Sequence, residues 1–148
     1  MVPFPVTVSF PVHWAEMDAM GHVNHARYFT WFESARIALF ARIGVAADKP
    51  RDVGPILAMA SCDFIRPVVY PATVVVGSRI LKVGRTSITM EYAAWLLDAP
   101  ERPCARGASV AVLVDYRTMQ KVEVPLEVRE GIANLASAAN VTDETTPG

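Results

Sequence analysis

The chain has 148 residues, of which 52% are apolar and 20% charged, and its formal net charge is −1. This balance is typical of one folded domain and excludes a disordered chain, while the near-neutral charge provides no basic surface for nucleic acid. The opening MVPFPVTVSF lacks the basic start of a secretory signal, and no apolar run reaches membrane-spanning length, so we expect a cytoplasmic protein.

The first half of the sequence predicts a strand and a long helix. Residues 5–13 alternate and are rich in β-branched side chains, which indicates a strand with Pro11 at an edge or a bulge. After a loop through Gly21, apolar residues recur at three- and four-residue steps, which indicates one helix of about twenty residues. Asn24 is its expected N-cap and Gly44 its expected stop.

Four further strands are predicted at residues 55–66, 72–83, 86–97 and 104–116. The VGRT link between the second and third of these is short enough for a hairpin. A short strand or turn near 119–124 leads into an amphipathic helix from Pro125, and residues 137–148 are expected to be a flexible tail. One long helix with antiparallel strands is a single α+β domain over residues 1–136, and its exposed sheet edges favour dimerisation.

The segment HWAEMDAMGHVNHARYF contains all three histidines and the carboxylate of Asp18. Asp18 lies on the loop that enters the helix, where backbone N–H groups are unpaired and carry partial positive charge. Such donors can hold an oxyanion while the carboxylate activates water or attacks a carbonyl itself, which suits acyl transfer. The alternative is that Asp18 is an ordinary turn or capping residue.

The three histidines differ in position. His25 falls in the first helical turn, so its backbone N–H is available as an oxyanion donor, and its imidazole could orient water or Asp18. His22 on the loop could do the same or face solvent, and His13 at the strand end is expected to be structural. Their spacing matches no known zinc or facial-triad motif, so no metal is expected. Cys62 and Cys104 have no CxxC spacing and are expected to be small buried thiols, with a disulfide as the alternative.

A second candidate site is the turn in LKVGRTSITMEY. Lys82 and Arg85 flank this turn and Thr86 and Ser87 follow it, so two cations and two hydroxyls could bind a phosphate. Lysine and arginine are also normal at exposed turns, so a purely structural turn is the alternative.

The segment WAEMDAMGHVNHARYFTWFESAR resembles the signature of hotdog-fold thioesterases of the 4-hydroxybenzoyl-CoA thioesterase-like family. That signature has an aromatic residue before an acid, then G-x-V-x-[NH]-x-x-Y and an aromatic helix with E-x-A-R. The order of elements agrees over nearly the whole chain. The resemblance implies one long central helix wrapped by an antiparallel sheet, in homodimers that assemble to homotetramers. It also implies hydrolysis of acyl-CoA to a carboxylic acid and coenzyme A, which is part of the substrate, so no cofactor is expected.

The resemblance also implies roles for single residues. Asp18 matches the catalytic carboxylate and the amide of His25 matches the oxyanion donor, and a histidine at this position is similar to that of short-chain acyl-CoA thioesterases, where it assists. Plant acyl-carrier-protein thioesterases share a D-x-x-x-H-V-N-N string whose acid and histidine match Asp18 and His22, so His22 competes with His25. The VGRTS turn falls where relatives contact the coenzyme A phosphates, which favours Arg85, Thr86 and Ser87.

Three questions stay open from the sequence. The substrate could be an acyl-carrier-protein thioester instead of an acyl-CoA, or the protein could bind acyl-CoA without catalysis. Asp18 could act as a general base or as a nucleophile. The acyl group, and the choice between dimer and tetramer, are not encoded in any motif of the chain.

Overall fold

The computed structural model describes residues 4–45 and 52–144. In this part of the chain the elements are β1 (Val6–Pro11), a 3-10 turn (Trp14–Glu16), α1 (His25–Arg42), β2 (Val53–Phe64), β3 (Thr73–Val83), β4 (Ser87–Leu96), β5 (Ala105–Asp115) and α2 (Leu126–Glu144). The described strands form one antiparallel sheet in the order β1-β3-β4-β5-β2. The predicted α+β architecture and the β3–β4 hairpin are therefore confirmed.

The helix α1 packs along one face of the sheet and forms the core with it. Its three- and four-residue periodicity buries one side of the helix, namely Tyr28, Trp31, Phe32, Ala35, Leu39 and Phe40. The ring of Phe32 stacks on that of Tyr92 from β4, with 5.0 Å between ring centroids. Burial of several large side chains of this kind contributes about 2 kcal/mol for each, which fixes α1 against the sheet.

The start and end of α1 are set by the residues that the sequence analysis identifies. Oδ1 of Asn24 accepts the backbone N–H of Ala26 at 2.9 Å, so Asn24 is the N-cap. Gly44 has a φ of +89°, a left-handed conformation that favours glycine and ends the helix. The predicted boundaries of α1 are confirmed.

The helix α2 lies at the C-terminal end of α1. A Cβ at Gly131 would come within 2.6 Å of the carbonyl oxygen of Ile43, so only glycine permits this approach. Nη2 of Arg129 donates to the carbonyl oxygen of Gly84 at 2.8 Å and ties α2 to the β3–β4 turn. The side chains of Val128 and Leu135 are buried.

The C-terminal part differs from the expectation in one detail. Of the short strand or turn expected near 119–124, a turn forms, in which the N–H of Met119 donates to the carbonyl oxygen of Asp115 at 2.6 Å, and Val114 and Lys121 form an isolated bridge. The helix α2 extends to Glu144, so residues 137–144 of the expected flexible tail are helical, while 145–148 lie outside the described residues. No helix in the described part of the chain is long and apolar enough to cross a membrane.

The sheet has two edges of different character. β1 is one edge and contains Pro11, as expected for a residue without a backbone N–H. β2 is the other edge, and its middle exposes apolar side chains, including Leu57 at 44% and Met59 at 42%. An edge strand of this length with exposed apolar residues is a surface for pairing with another chain.

Candidate active site

A tight loop holds Asp18 directly before α1. Its backbone N–H donates to the carbonyl oxygen of His22 at 2.9 Å, and its own carbonyl oxygen accepts the N–H of Gly21 at 3.0 Å. Gly21 has a φ of +81°, which a residue with a side chain would adopt only with strain. The loop therefore positions the Asp18 side chain through backbone contacts that the sequence DAMG permits.

The carboxylate of Asp18 is half-buried and is held by uncharged donors. Oδ1 accepts the backbone N–H of Met20 at 2.9 Å, and Oδ2 lies 3.4 Å from Nδ2 of Asn24. None of the ion pairs found among the described residues involves Asp18. Within that part of the chain, the carboxylate is thus held in place by hydrogen bonds alone.

The start of α1 leaves one donor unused. The N–H of Ala26 is capped by Asn24, and the N–H of Arg27 donates to the carbonyl oxygen of Asn24 at 3.0 Å. Within residues 4–45 and 52–144, no acceptor is found for the backbone N–H of His25. A free N–H at a helix N-terminus is a donor for an anion or an oxyanion.

Asp18 and the helix start border one cleft of about 430 Å³. One side is formed by Asp18, Met20, His22, Val23, His25 and Tyr28, and the other by Phe64, Ile65, Arg66 and Pro67. The structure thus brings together the three residues that the sequence analysis assigns to catalysis. The volume is within the usual range for a small-molecule site.

The imidazoles of this region are exposed. The ring of His25 lies edge-on to the ring of Phe64, with 6.2 Å between centroids and a 90° angle between planes. His22 lies on the same cleft. His13 is exposed and is not among the cleft residues, and its backbone N–H donates to Oε1 of Glu16 at 2.8 Å.

The segment from Phe64 to Pro67 was not identified from the sequence, although it forms half of the cleft. Nη2 of Arg66 donates to the carbonyl oxygens of Ala99 at 2.7 Å and Arg102 at 2.6 Å, so this arginine holds the β4–β5 loop beside the site. Its Nε is buried and has no partner among the described atoms. The one signal that could have located this segment is the Arg-Pro pair at the end of a predicted strand.

Tyr28 anchors the other side of the cleft. Burial raises the pKa of its hydroxyl from 10.0 to about 12, and a hydrogen bond with the backbone of Val68 opposes that rise. The phenol therefore stays neutral at physiological pH, and its ring contacts Phe64 edge-on at 5.0 Å.

The residues of the VGRTS turn are not brought to this cleft within one protomer. Arg129 connects Gly84 to α2, and Gly131 of α2 packs on Ile43, so the turn lies near the C-terminal end of α1. Asp18 lies at the other end, and the 18 residues of α1 span about 27 Å at 1.5 Å per residue. Arg85 is exposed there and forms only a loose ion pair with Glu123 at 3.7 Å.

The described residues meet neither the requirements of a metal site nor those of a reactive thiol. No group of three or more His, Cys, Asp or Glu side chains in that part of the chain could hold a metal ion. Cys62 and Cys104 are both free, and Cys104 is buried. Burial, then the neighbouring Asp63, then Cys104, raises the pKa of Cys62 to about 11, and burial also raises the pKa of Cys104. Such thiols are poor nucleophiles.

Comparison with known proteins shows the family to which the chain belongs. Residues 12–132 match the model of the thioesterase-like superfamily. The Bacillus subtilis (strain 168) protein YsmA is 28% identical over 119 residues, which cover 80% of this chain and 79% of YsmA. The structure of the PA2801 protein from Pseudomonas aeruginosa is 32% identical with a TM-score of 0.80, covering 88% of this chain and 99% of that one. A thioesterase from Thermus thermophilus, solved with coenzyme A and Zn, is 30% identical with a TM-score of 0.78, covering 93% and 98% respectively.

Proposed function

The chain belongs to the thioesterase-like superfamily, has its hotdog fold, and we propose that it hydrolyses acyl-CoA thioesters to a carboxylic acid and coenzyme A. The observation that carries the proposal is the pairing of an unneutralised carboxylate, Asp18, with the free N–H of His25 on one cleft. Thioester hydrolysis needs a base or nucleophile and a donor for the oxyanion. The cleft supplies both.

In the reaction that we propose, water attacks the thioester carbonyl carbon while Asp18 accepts a proton from it. The carbonyl electrons move to the oxygen, and the N–H of His25 donates to the resulting oxyanion. The tetrahedral intermediate then collapses, the C–S bond breaks, and the coenzyme A thiolate leaves with the proton. The products are the carboxylic acid and the free thiol.

Direct attack by the Asp18 carboxylate on the carbonyl carbon is the second route, and it passes through a different tetrahedral intermediate, from which the C–S bond breaks and coenzyme A leaves as the thiolate. It would form an anhydride between the carboxylate and the acyl group, which water then hydrolyses. A single turnover in ¹⁸O-labelled water separates the routes, because attack on the anhydride at the Asp18 carbonyl would place the label in the enzyme. Label found in the Asp18 carboxylate would establish the anhydride route, whereas the general-base route places the label only in the released acid.

The imidazoles take a supporting role in this proposal. His25 and His22 are exposed on the cleft, where either ring could hold the attacking water for Asp18. His25 is favoured because its ring is fixed against Phe64, and fixed groups position a reactant with less entropic cost. His22 remains the alternative.

We place the acyl group between α1 and β2. A second, smaller cavity of about 130 Å³ lies there, and its lining includes the apolar Phe29, Phe32 and Leu57 and the charged Glu33 and Arg36. Phe32 is seven residues beyond His25 on α1, or about 10 Å along the axis. An acyl chain that leaves the thioester carbonyl in this direction would bury its end there.

The phosphates of coenzyme A are assigned to Lys82, Arg85, Thr86 and Ser87, the predicted anion site. Since this turn lies at the far end of α1 in the same protomer, the assignment requires a second copy. A homodimer paired antiparallel along β2 would set the two α1 helices in opposite directions, so the partner's turn would approach this protomer's Asp18. Two such dimers could form the expected homotetramer. The free thiols also suit a cytoplasmic enzyme.

A panel of acyl-CoA thioesters tests the proposal, with release of free thiol as the measurement. The wild-type protein should release coenzyme A from at least one aromatic, short-chain or long-chain member. Carrier-protein thioesters of the same acyl groups belong in the panel, because faster release from them would assign the alternative substrate. Tight binding of acyl-CoA without any thiol release would contradict the proposal.

A further inference from the structure

We propose that Asn24 is a positioning residue that orients the Asp18 carboxylate beside the neighbouring oxyanion donor. The contact between Asn24 and Asp18 is given by the geometry, and its effect on catalysis rests on the proposed thioesterase function. Oδ1 of Asn24 accepts the N–H of Ala26 at 2.9 Å, while Nδ2 of the same amide donates toward Oδ2 of Asp18 at 3.4 Å. One side chain thus connects the helix start to the reactive carboxylate.

The choice of residue at this position supports a second role beyond capping. Serine, threonine and aspartate cap a helix about as well as asparagine, because each offers a side-chain oxygen to the first N–H groups. Among these residues only asparagine carries, besides that oxygen, an N–H₂ group whose protons can serve a carboxylate. A residue that only caps α1 would not need this donor, whereas a residue that also orients Asp18 would.

Asn24 also contacts the groups that flank the free N–H of His25. The side chain of Asn24 takes the N–H of Ala26 and its carbonyl oxygen takes that of Arg27, and its backbone N–H donates to Glu16 at 2.9 Å. The N–H of His25 lies between these bonds without an acceptor in the described residues. Asn24 is therefore in contact with the groups on either side of the oxyanion donor.

The carboxylate plane is fixed from two sides. Met20 holds Oδ1 through its backbone N–H at 2.9 Å, and Asn24 holds Oδ2 through its amide. A carboxylate with both oxygens restrained presents one lone pair to the cleft in a constant direction. Loss of the Asn24 donor leaves rotation about the Cβ–Cγ bond restrained by Met20 alone, which lowers the fraction of productive complexes.

Two substitutions separate positioning from capping. Asn24→Ser keeps the cap and replaces the Nδ2 donor with a hydroxyl one bond nearer the backbone, and Asn24→Asp keeps the cap and replaces the donor with a second carboxylate. We expect both to unfold within about 2 °C of wild type, since the cap is retained. We expect kcat to fall about tenfold in Asn24→Ser and further in Asn24→Asp, with KM nearly unchanged, since a hydrogen bond to a charged group is lost.

A double-mutant cycle tests whether Asn24 acts through Asp18. In an Asp18→Asn background, Asn24→Ser should change the residual kcat less than twofold, because the group that it positions is already inactive. A structural role alone would predict equal effects in both backgrounds. Unchanged kcat in both Asn24→Ser and Asn24→Asp would overturn the proposal, as would equal effects in the two backgrounds.

A measurement without activity distinguishes this inference from the proposed function. In ¹⁵N NMR spectra, the side-chain amide signals of Asn24 should shift when Asp18→Ala removes the acceptor, while those of Asn134 on α2 should not. Unshifted Asn24 signals would refute the hydrogen bond. If those signals shift but no substrate in the panel releases thiol, the proposed hydrolysis fails while the Asn24–Asp18 contact stands, and Asn24 then positions a ligand-binding carboxylate.

Discussion

Oδ1 of Asp18 accepts the backbone N–H of Met20 at 2.9 Å, within the same four-residue turn that Gly21 closes. The loop therefore holds one carboxylate oxygen through its own backbone, while the other oxygen lies 3.4 Å from the amide nitrogen of Asn24. These hydrogen bonds hold the Asp18 side chain without an ion pair. A neutral replacement of the carboxylate therefore removes its charge without breaking a salt bridge.

Asp18→Asn should lower kcat by about two to four orders of magnitude. The amide oxygen can still accept the N–H of Met20, so the loop should keep its shape and the melting temperature should change little. What is lost is the capacity to accept a proton or to attack the carbonyl. Thiol release measured on the best acyl-CoA substrate gives the comparison.

Asp98→Asn is the matched control, because Asp98 is an exposed carboxylate on the β4–β5 loop that does not line the cleft. It should hydrolyse the substrate at the wild-type rate. Equal activity of Asp18→Asn and wild type would exclude the carboxylate from the chemistry and leave acyl-CoA binding as the function.

The local features of the site could be predicted from the sequence, and the distant ones could not. Asn24 and Gly44 were identified because caps depend on a few neighbouring residues. Asp18 and His25 are close in sequence and both lie at the helix start, so their meeting on one cleft follows from local structure. Phe64 and Arg66 reach the same cleft only through the pairing of β2 with β5, and periodicity does not determine which strands pair. For the same reason the sequence does not show how far apart Arg85 and Asp18 lie, and in one protomer they lie at opposite ends of α1.

Arg85→Ala should raise KM for acyl-CoA several-fold and leave kcat nearly unchanged. The guanidinium is exposed and only loosely paired with Glu123, so it is available for a phosphate, and its loss removes a contact made equally in the ground and transition states. Thioesters of N-acetylcysteamine lack the nucleotide, so their hydrolysis should not respond to the substitution.

Arg117→Ala serves as the control for charge, because Arg117 is equally exposed and paired with Asp115 at 3.6 Å. Its KM for acyl-CoA should equal that of wild type. A matching increase in KM in both variants would indicate a general effect of surface charge, and the assignment of the turn to the phosphates would fail.

Met59→Lys should convert the expected homodimer to monomers. Met59 is 42% exposed in the middle of the edge strand β2, where a lysine would place a charge in a paired sheet. Light scattering after gel filtration measures the mass, and hydrolysis of acyl-CoA should fall with it, since the phosphate site would come from the partner.

Leu126→Lys, at a 71% exposed position of α2, is the control and should keep the wild-type mass. A monomeric, fully active wild-type protein would contradict the model of a shared site.

The protein should become less stable as the pH rises from about 8 to about 11. Burial raises the pKa of Tyr28 to about 12 and, with Asp63 and Cys104, that of Cys62 to about 11, and it also raises the pKa of Cys104. The folded state therefore keeps these protons at a pH where the unfolded chain has released them, so the free energy of unfolding falls with pH. Tyr28 and Cys62, whose pKa values rise from 10.0 to about 12 and from 9.0 to about 11, account for up to about 3 kcal/mol apiece.

Urea unfolding at pH 8 and pH 10.5 measures this loss, and Cys62→Ala identifies one of its sources. The variant should lose less stability than wild type between the two pH values, because one of the retained protons is absent. An identical loss in both proteins would show that the Cys62 thiol titrates alike in the folded and unfolded states.

His25→Pro should separate the backbone donor at the helix start from the imidazole. His25 is the first residue of α1, a position that tolerates proline because its N–H is not needed within the helix. Asn24 has a φ of −60° and a ψ of 137°, which is the extended conformation that a following proline requires. The substitution thus deletes the N–H with little change in backbone shape.

His25→Ala deletes the imidazole and keeps the N–H. If that N–H holds the oxyanion, kcat of His25→Pro should lie about 10² to 10³ below that of His25→Ala, at a similar melting temperature. Equal kcat values in the two variants would mean that the oxyanion is held by another donor, and the free N–H of His25 would then be a feature of the helix start alone.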